Sequence, residues 1–93
     1  MEKVTIQNGV KTIIEKAFYE CENLREIVLP ASIENIGYMA FRETGLKEIV
    51  LPDHLKQIDN YVFMNCQELT SLVLPKNLTY VPEGLCEFCK KLD

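Results

Sequence analysis

Four cysteines, one histidine and a few acidic side chains carry whatever chemistry this chain could perform. Cys86-Glu87-Phe88-Cys89 is a CxxC, a spacing used for thiol redox chemistry and for zinc. With Cys21 and Cys66 it makes four thiols, which permit three disulfide pairings. Ser32, Asp53 and His54 are the residue types of a nucleophile, an orienting acid and a base. Glu26 and Glu48 offer a carboxylate pair to a cation, although two oxygen donors make a poor site. Asn77-Leu78-Thr79 fits an N-glycosylation acceptor. Only four glycines are present, and none forms a phosphate-cradling loop.

The elements that must position these residues emerge from an internal repeat. The heptapeptides LREIVLP, LKEIVLP and LTSLVLP begin at Leu24, Leu46 and Leu69. The first two starts are 22 residues apart and the last two 23. MEKVTIQ at the N-terminus fits the same pattern loosely. The chain therefore reads as one domain, 1–93, of four repeats, 1–23, 24–45, 46–68 and 69–91, with Leu92 and Asp93 opening a fifth. The fourth and sixth heptapeptide positions alternate as a strand with one buried face does. These inward residues are Val4 and Ile6, Ile27 and Leu29, Ile49 and Leu51, Leu72 and Leu74. Pro30, Pro52 and Pro75 lack an amide hydrogen and should end each strand in a turn. Gln7 holds that place in the first repeat, which should be less sharply stopped.

A second apolar column follows: Ile13, Ile36, Ile58 and Val81. Next come Ala17-Phe18, Ala40-Phe41 and Val62-Phe63, replaced by Leu85-Cys86 in the fourth repeat. Cys21, Thr44, Cys66 and Cys89 lie three residues beyond the aromatic position. That spacing predicts a short helical or 3₁₀ turn in each repeat. The expected fold is thus α/β, a solenoid of parallel strands with short helical turns. One such coil cannot bury its apolar side, but stacked coils can, at about 4.8 Å per strand.

The columns also weigh the chemistry. Cys21 and Cys66, two coils apart, should be about 10 Å distant, beyond the roughly 7 Å reach of a bridge. Cys66 and Cys89 are one coil apart, but parallel side-chain directions make a bond awkward. Structural zinc takes four ligands, and His54 belongs to another column. A core ladder of reduced thiols competes with zinc, redox and disulfide readings. Ser32 and His54 fall in an exposed turn with no fixed oxyanion donors, so the expectation is no catalytic residue, no metal, no cofactor and no enzyme.

Composition agrees. Apolar residues make up 47% and charged residues 26%, with ten Lys and Arg against fourteen Asp and Glu, a net charge of −4. No basic footprint for nucleic acid exists, and no apolar run is long enough to span a membrane. MEKVTIQNGVK carries no secretory signal.

The pattern in LREIVLPASIENIGYMAF, with a period near 23, closely resembles the BspA-like leucine-rich repeat, also seen in treponemal surface proteins. The resemblance covers essentially the whole chain. It implies a right-handed solenoid with a parallel sheet on one face. It also implies a non-catalytic adhesion or interaction module of a cell-surface or secreted protein, with a protein or glycan partner; the missing signal leaves a cytoplasmic location open. The alternative role is a structural spacer with no ligand of its own.

Two surfaces are candidates for binding. The outward strand positions Lys3 and Thr5, Glu26 and Val28, Glu48 and Val50, Ser71 and Val73 form one, with the valines as an apolar stripe. Tyr38, Met39, Tyr61 and Met64 form the other, near the turns. No terminal cap is legible, so association through an end, a homodimer among its forms, is a third expectation.

Overall fold

A strand of three residues with alternating sides can bury one side chain. Such a chain gains little until it lies on a copy of itself. In the computed structural model, which describes residues 3–92, that is what happens. Seven strands follow in order: β1 (Lys3–Thr5), β2 (Thr12–Ile13), β3 (Glu26–Val28), β4 (Asn35–Ile36), β5 (Glu48–Val50), β6 (Gln57–Ile58) and β7 (Ser71–Val73). All pairs are parallel. Val4 lies beside Ile27 in the β1–β3 pair, and Ile49 beside Leu72 in the β5–β7 pair. Ile13, Ile36 and Ile58 form a file along a second sheet, β2-β4-β6. Residues about one period apart are thus neighbours in space. Met1 and Asp93, expected at the head of the first coil and in a fifth, lie outside the described residues.

The prolines act as expected. The carbonyls of Pro30, Pro52 and Pro75 accept the amides of Ile33, Leu55 and Leu78 at 3.2–3.3 Å. Gln7 builds the same turn, its carbonyl accepting from Val10 at 3.3 Å, so proline favours this bend without being required for it.

The expected helical turns are absent: the described residues contain no helix, and the α/β expectation is corrected to parallel strands joined by turns. The reason lies in the backbone. Lys16, Met39, Tyr61 and Gly84 share one column with positive φ, and Glu20, Glu43, Asn65 and Phe88 share another. A left-handed residue every fourth position breaks the i→i−4 pattern before it can close. Each stretch instead alternates its amides. Ala17, Tyr19 and Cys21 donate within the coil to carbonyls three residues back, whereas Lys16, Phe18 and Glu20 donate to Tyr38, Ala40 and Arg42 of the next coil at 2.8–2.9 Å. The same alternation recurs one coil on, where Met39, Phe41 and Glu43 donate to Asn60, Val62 and Met64. A non-glycine left-handed residue costs roughly 1–2 kcal/mol. A satisfied hydrogen bond returns about 1 kcal/mol, so the two nearly offset and packing decides the conformation.

That packing is a stack of rings. Phe18, Phe41 and Phe63 lie face on, with centroids 5.4 and 5.5 Å apart and planes within 6° of parallel. Phe41 and Phe63 are fully buried amid Leu24, Ile33, Ile36, Leu46 and Leu69. Each such burial contributes about 1.5–3 kcal/mol, and each offset ring pair about 0.5–1.5 kcal/mol more.

Two irregularities shape the surface. The first follows from the 22-residue spacing. Cys21 and Leu24 are separated by Glu22-Asn23, and Cys66 and Leu69 by Gln67-Glu68, but Thr44 and Leu46 only by Gly45. The shortened return presses Gly45 against the coil before it: an added Cβ would sit 2.4 Å from the Glu22 carbonyl oxygen and 3.2 Å from that of Leu24. Where this coil re-enters the strand face Lys47 still donates to Arg25 at 3.3 Å, but beyond it the ladder opens, and β3 and β5 are not paired. Ile6 donates to Val28 at 3.1 Å and Leu51 to Val73 at 3.0 Å, while the equivalent bond from Leu29 to Val50 is not made.

The second irregularity ends the β2-β4-β6 sheet. Gly37 and Asp59 donate to Ile13 and Ile36 of the coil before. Pro82 holds that position in the last coil and has no hydrogen to give. The Tyr80 hydroxyl replaces the missing strand: it accepts from the Ile58 amide and donates to the Ile58 carbonyl, both at 3.1 Å. Among the described residues the Ile58 amide and carbonyl are thus satisfied without a further strand.

Two outcomes follow. Gly45→Ala should lower unfolding free energy by about 2–3 kcal/mol through overpacking, read as a shifted urea midpoint; Gly9→Ala meets open space but a φ of +99°, so its cost, roughly 1–2 kcal/mol, is backbone strain alone. Tyr80→Phe should cost about 1–2 kcal/mol and speed hydrogen exchange at the Ile58 amide.

Candidate binding surface

The alternation of each strand decides what faces outward. Val4, Ile27, Ile49 and Leu72 point into the core, so Lys3, Thr5, Glu26, Val28, Glu48, Val50, Ser71 and Val73 are all exposed. Val28, Val50 and Val73 are 43%, 65% and 48% accessible, a run of apolar side chains on successive coils. The unpaired junction of β3 and β5 turns this face into a shallow groove of about 520 Å³. Val28 and Val50 line it with Glu26, Glu48, Asp53 and His54. The ion pairs among the described residues are Lys56 with Glu34 and Lys91 with Glu68, so the groove carboxylates keep their charge uncompensated by a salt bridge. Sequence reasoning placed the valines and glutamates on this face but not the groove, nor Asp53 and His54 at its edge. The signal was the one-residue difference between repeats.

Tyr38, Met39, Tyr61 and Met64 are half-buried and largely occupied with the fold. The Tyr61 hydroxyl donates to the Glu83 carboxylate, and its ring lies over Gly84, leaving no room there for a Cβ. That bond to Glu83 holds the phenol above its ordinary pKa. Tyr38 meets Tyr61 edge to face at 6.0 Å. Met39 Sδ accepts from Arg42 at 3.5 Å, and the Arg42 and Lys16 cations lie 5.6 and 5.7 Å from the Tyr19 ring.

Of the residues that suggested catalysis, Ser32 is engaged by backbone of the coil before it. Ser32 Oγ accepts from the Gly9 amide at 3.0 Å and donates to the Val10 carbonyl at 2.7 Å, tying two turns together, while His54 sits on the groove side. Among the described residues no group of three or more His, Cys, Asp or Glu is placed to hold a metal. The cysteine column is a ladder of free thiols. Cys66 Sγ donates to the Phe41 carbonyl and Cys89 Sγ to that of Phe63, each at 3.0 Å, and Thr44 Oγ1 lies 3.3 Å from Cys66 Sγ. Hydrogen bonding to Cys89, then burial, drives the Cys66 thiol far above its ordinary pKa.

No helix among the described residues is long and apolar enough to cross a membrane. The model for the BspA-type leucine-rich repeat region (6 copies) matches residues 1–93. A leucine-rich repeat protein from Bacteroides ovatus superposes with a TM-score of 0.96 at 33% identity, over 99% of this chain and 24% of that one. A leucine-rich cell surface protein from Faecalibacterium prausnitzii superposes with a TM-score of 0.76 at 30% identity, over 77% of this chain and 19% of that one. The chain thus spans about a quarter or less of the solved proteins it resembles. No curated sequence is significantly similar. The stacked parallel strands, the proline turns and the match along the full length agree: the chain belongs to the BspA-type leucine-rich repeat family.

Proposed function

We propose that this chain is a non-catalytic protein-binding module of a cell-surface, adhesion-type leucine-rich repeat protein, and that its strand face takes an extended partner segment carrying cationic and apolar side chains. The observation that carries the reading is the groove between β3 and β5. It combines exposed valines with carboxylates that no described salt bridge neutralises. A Lys or Arg of the partner meets Glu26 and Glu48, and its apolar neighbours cover Val28 and Val50. Burying exposed valine against a partner gains about 25 cal/mol per Å², and the carboxylates set orientation and encounter rate more than affinity. The cell-surface setting draws on the Faecalibacterium protein, which is described as such.

An array of immobilised synthetic peptides alternating Lys or Arg with Val or Leu, with Glu-for-Lys peptides as controls, tests this. The cationic peptides should be retained and the acidic ones not, and retention should weaken as salt is raised. Joint replacement of Val28, Val50 and Val73 by Lys should reduce affinity at least about tenfold, and Glu26→Gln with Glu48→Gln by a similar factor, each loss being roughly 1.4 kcal/mol. Equal retention of cationic and acidic peptides, or undiminished binding by both variants, would remove the strand face as the site.

A further inference from the structure

The fourth repeat departs from the others by placing Cys86 where a phenylalanine stands in the rest. That interrupts the file of rings among the described residues and puts a thiol, packed against the core, in its place. Cys86 and Cys89 are half-buried, unlike Cys66 beneath them, which is fully enclosed. The Cys89 amide donates to the Cys86 carbonyl at 3.2 Å, closing a four-residue turn with Phe88 in the left-handed region. Such a turn keeps its end Cα atoms within about 7 Å, overlapping the roughly 4.4–6.8 Å span that a disulfide accepts. We propose that Cys86 and Cys89 form a thiol–disulfide exchange site whose substrate is an organic disulfide.

The environments assign the roles. The neighbouring Cys89 thiol lowers the Cys86 thiol from its ordinary pKa against the opposing effect of burial, and a lowered pKa favours the thiolate needed for attack. Cys66, enclosed and donating to the Phe41 carbonyl, is held protonated by its contact with Cys89 and by burial, which makes it the poorer nucleophile. In the first step the Cys86 thiolate attacks one sulfur of R–S–S–R, forming a Cys86–S–S–R mixed disulfide and releasing RS⁻. In the second, Cys89 loses its proton to that departing thiolate or to water and attacks Cys86 Sγ, releasing the second RS⁻. The sum is one R–S–S–R and two protein thiols converted to one Cys86–Cys89 disulfide and two RSH. The protein dithiol is oxidised and the organic disulfide reduced. Forming the bond takes the Cys89 donor away from the Phe63 carbonyl, so oxidation also alters the last link of the thiol ladder. This inference is independent of the strand face.

The full chain incubated with oxidised glutathione, then unfolded, alkylated and cut with trypsin, tests it. Both cysteines fall in one tryptic peptide, 77–90, since Lys76 and Lys90 precede the cuts. The expected product is that peptide lacking two hydrogens, with Cys21 and Cys66 alkylated. Cys66→Ser should leave its formation unchanged, and Cys86→Ser should slow glutathione release at least about tenfold. Circular dichroism verifies that each variant is folded. In the wild-type chain, Cys86 should be alkylated by iodoacetamide at lower pH than Cys89, a readout that needs no variant. A Cys66–Cys89 bridge as the main product, glutathione adducts without an internal bond, Cys86→Ser reacting at the wild-type rate, or Cys89 alkylating first would each overturn the assignment.

Discussion

Everything in this molecule depends on one coil lying directly on the next. A single turn of the chain has a strand with one inward residue and a second strand of two residues, far too little apolar surface to oppose the conformational entropy of ordering it. Parallel stacking converts that deficit into a continuous core, because each inward residue is covered by its counterpart about a period away. The file Ile13, Ile36, Ile58 and the rings of Phe18, Phe41 and Phe63 are two views of this constraint. So is the backbone of the turns, where alternate amides serve the coil itself and its neighbour.

The turns show how strongly stacking overrides local preference. Lysine, glutamate, methionine and tyrosine are poor residues for positive φ, yet they occupy it in column after column. The conformation is held by the neighbouring coil, whose carbonyl receives each amide so presented. A coil in isolation has no reason to adopt it. Local and long-range structure are therefore formed together, and the cooperative unit is the pair of adjacent coils rather than the single repeat.

Much of this was legible in the sequence. The alternation of Ile27 and Leu29 around Val28 fixed which side of each strand faces water, and the period fixed which residues are neighbours. The helical expectation failed because a three-residue spacing between Phe18 and Cys21 suits an i→i+3 turn as well as a helical one, and glycine marks only one of these left-handed positions, Gly84. The role of Tyr80 was hidden because it depends on an absence two residues away, the hydrogen that Pro82 lacks. The groove between β3 and β5 was encoded by the single residue missing beside Gly45, a length difference whose spatial consequence becomes visible only when the ladder is traced. The bonds that hold Ser32 to the turn of Gly9 and Val10 were not foreseeable, because they depend on how two turns meet in space.

The hydroxyl of Tyr80 gives the two sheets different fates at the same end of the stack. A bare sheet border is a template on which a foreign chain can crystallise its own backbone, the route to runaway fibre growth. On the β6 side that template is blocked by a phenol that can be neither extended nor copied. On the β7 side, beyond β5, no such plug is present among the described residues. Within the described residues, backbone addition beside β6 must first displace the Tyr80 phenol, whereas beside β7 it need displace no such group.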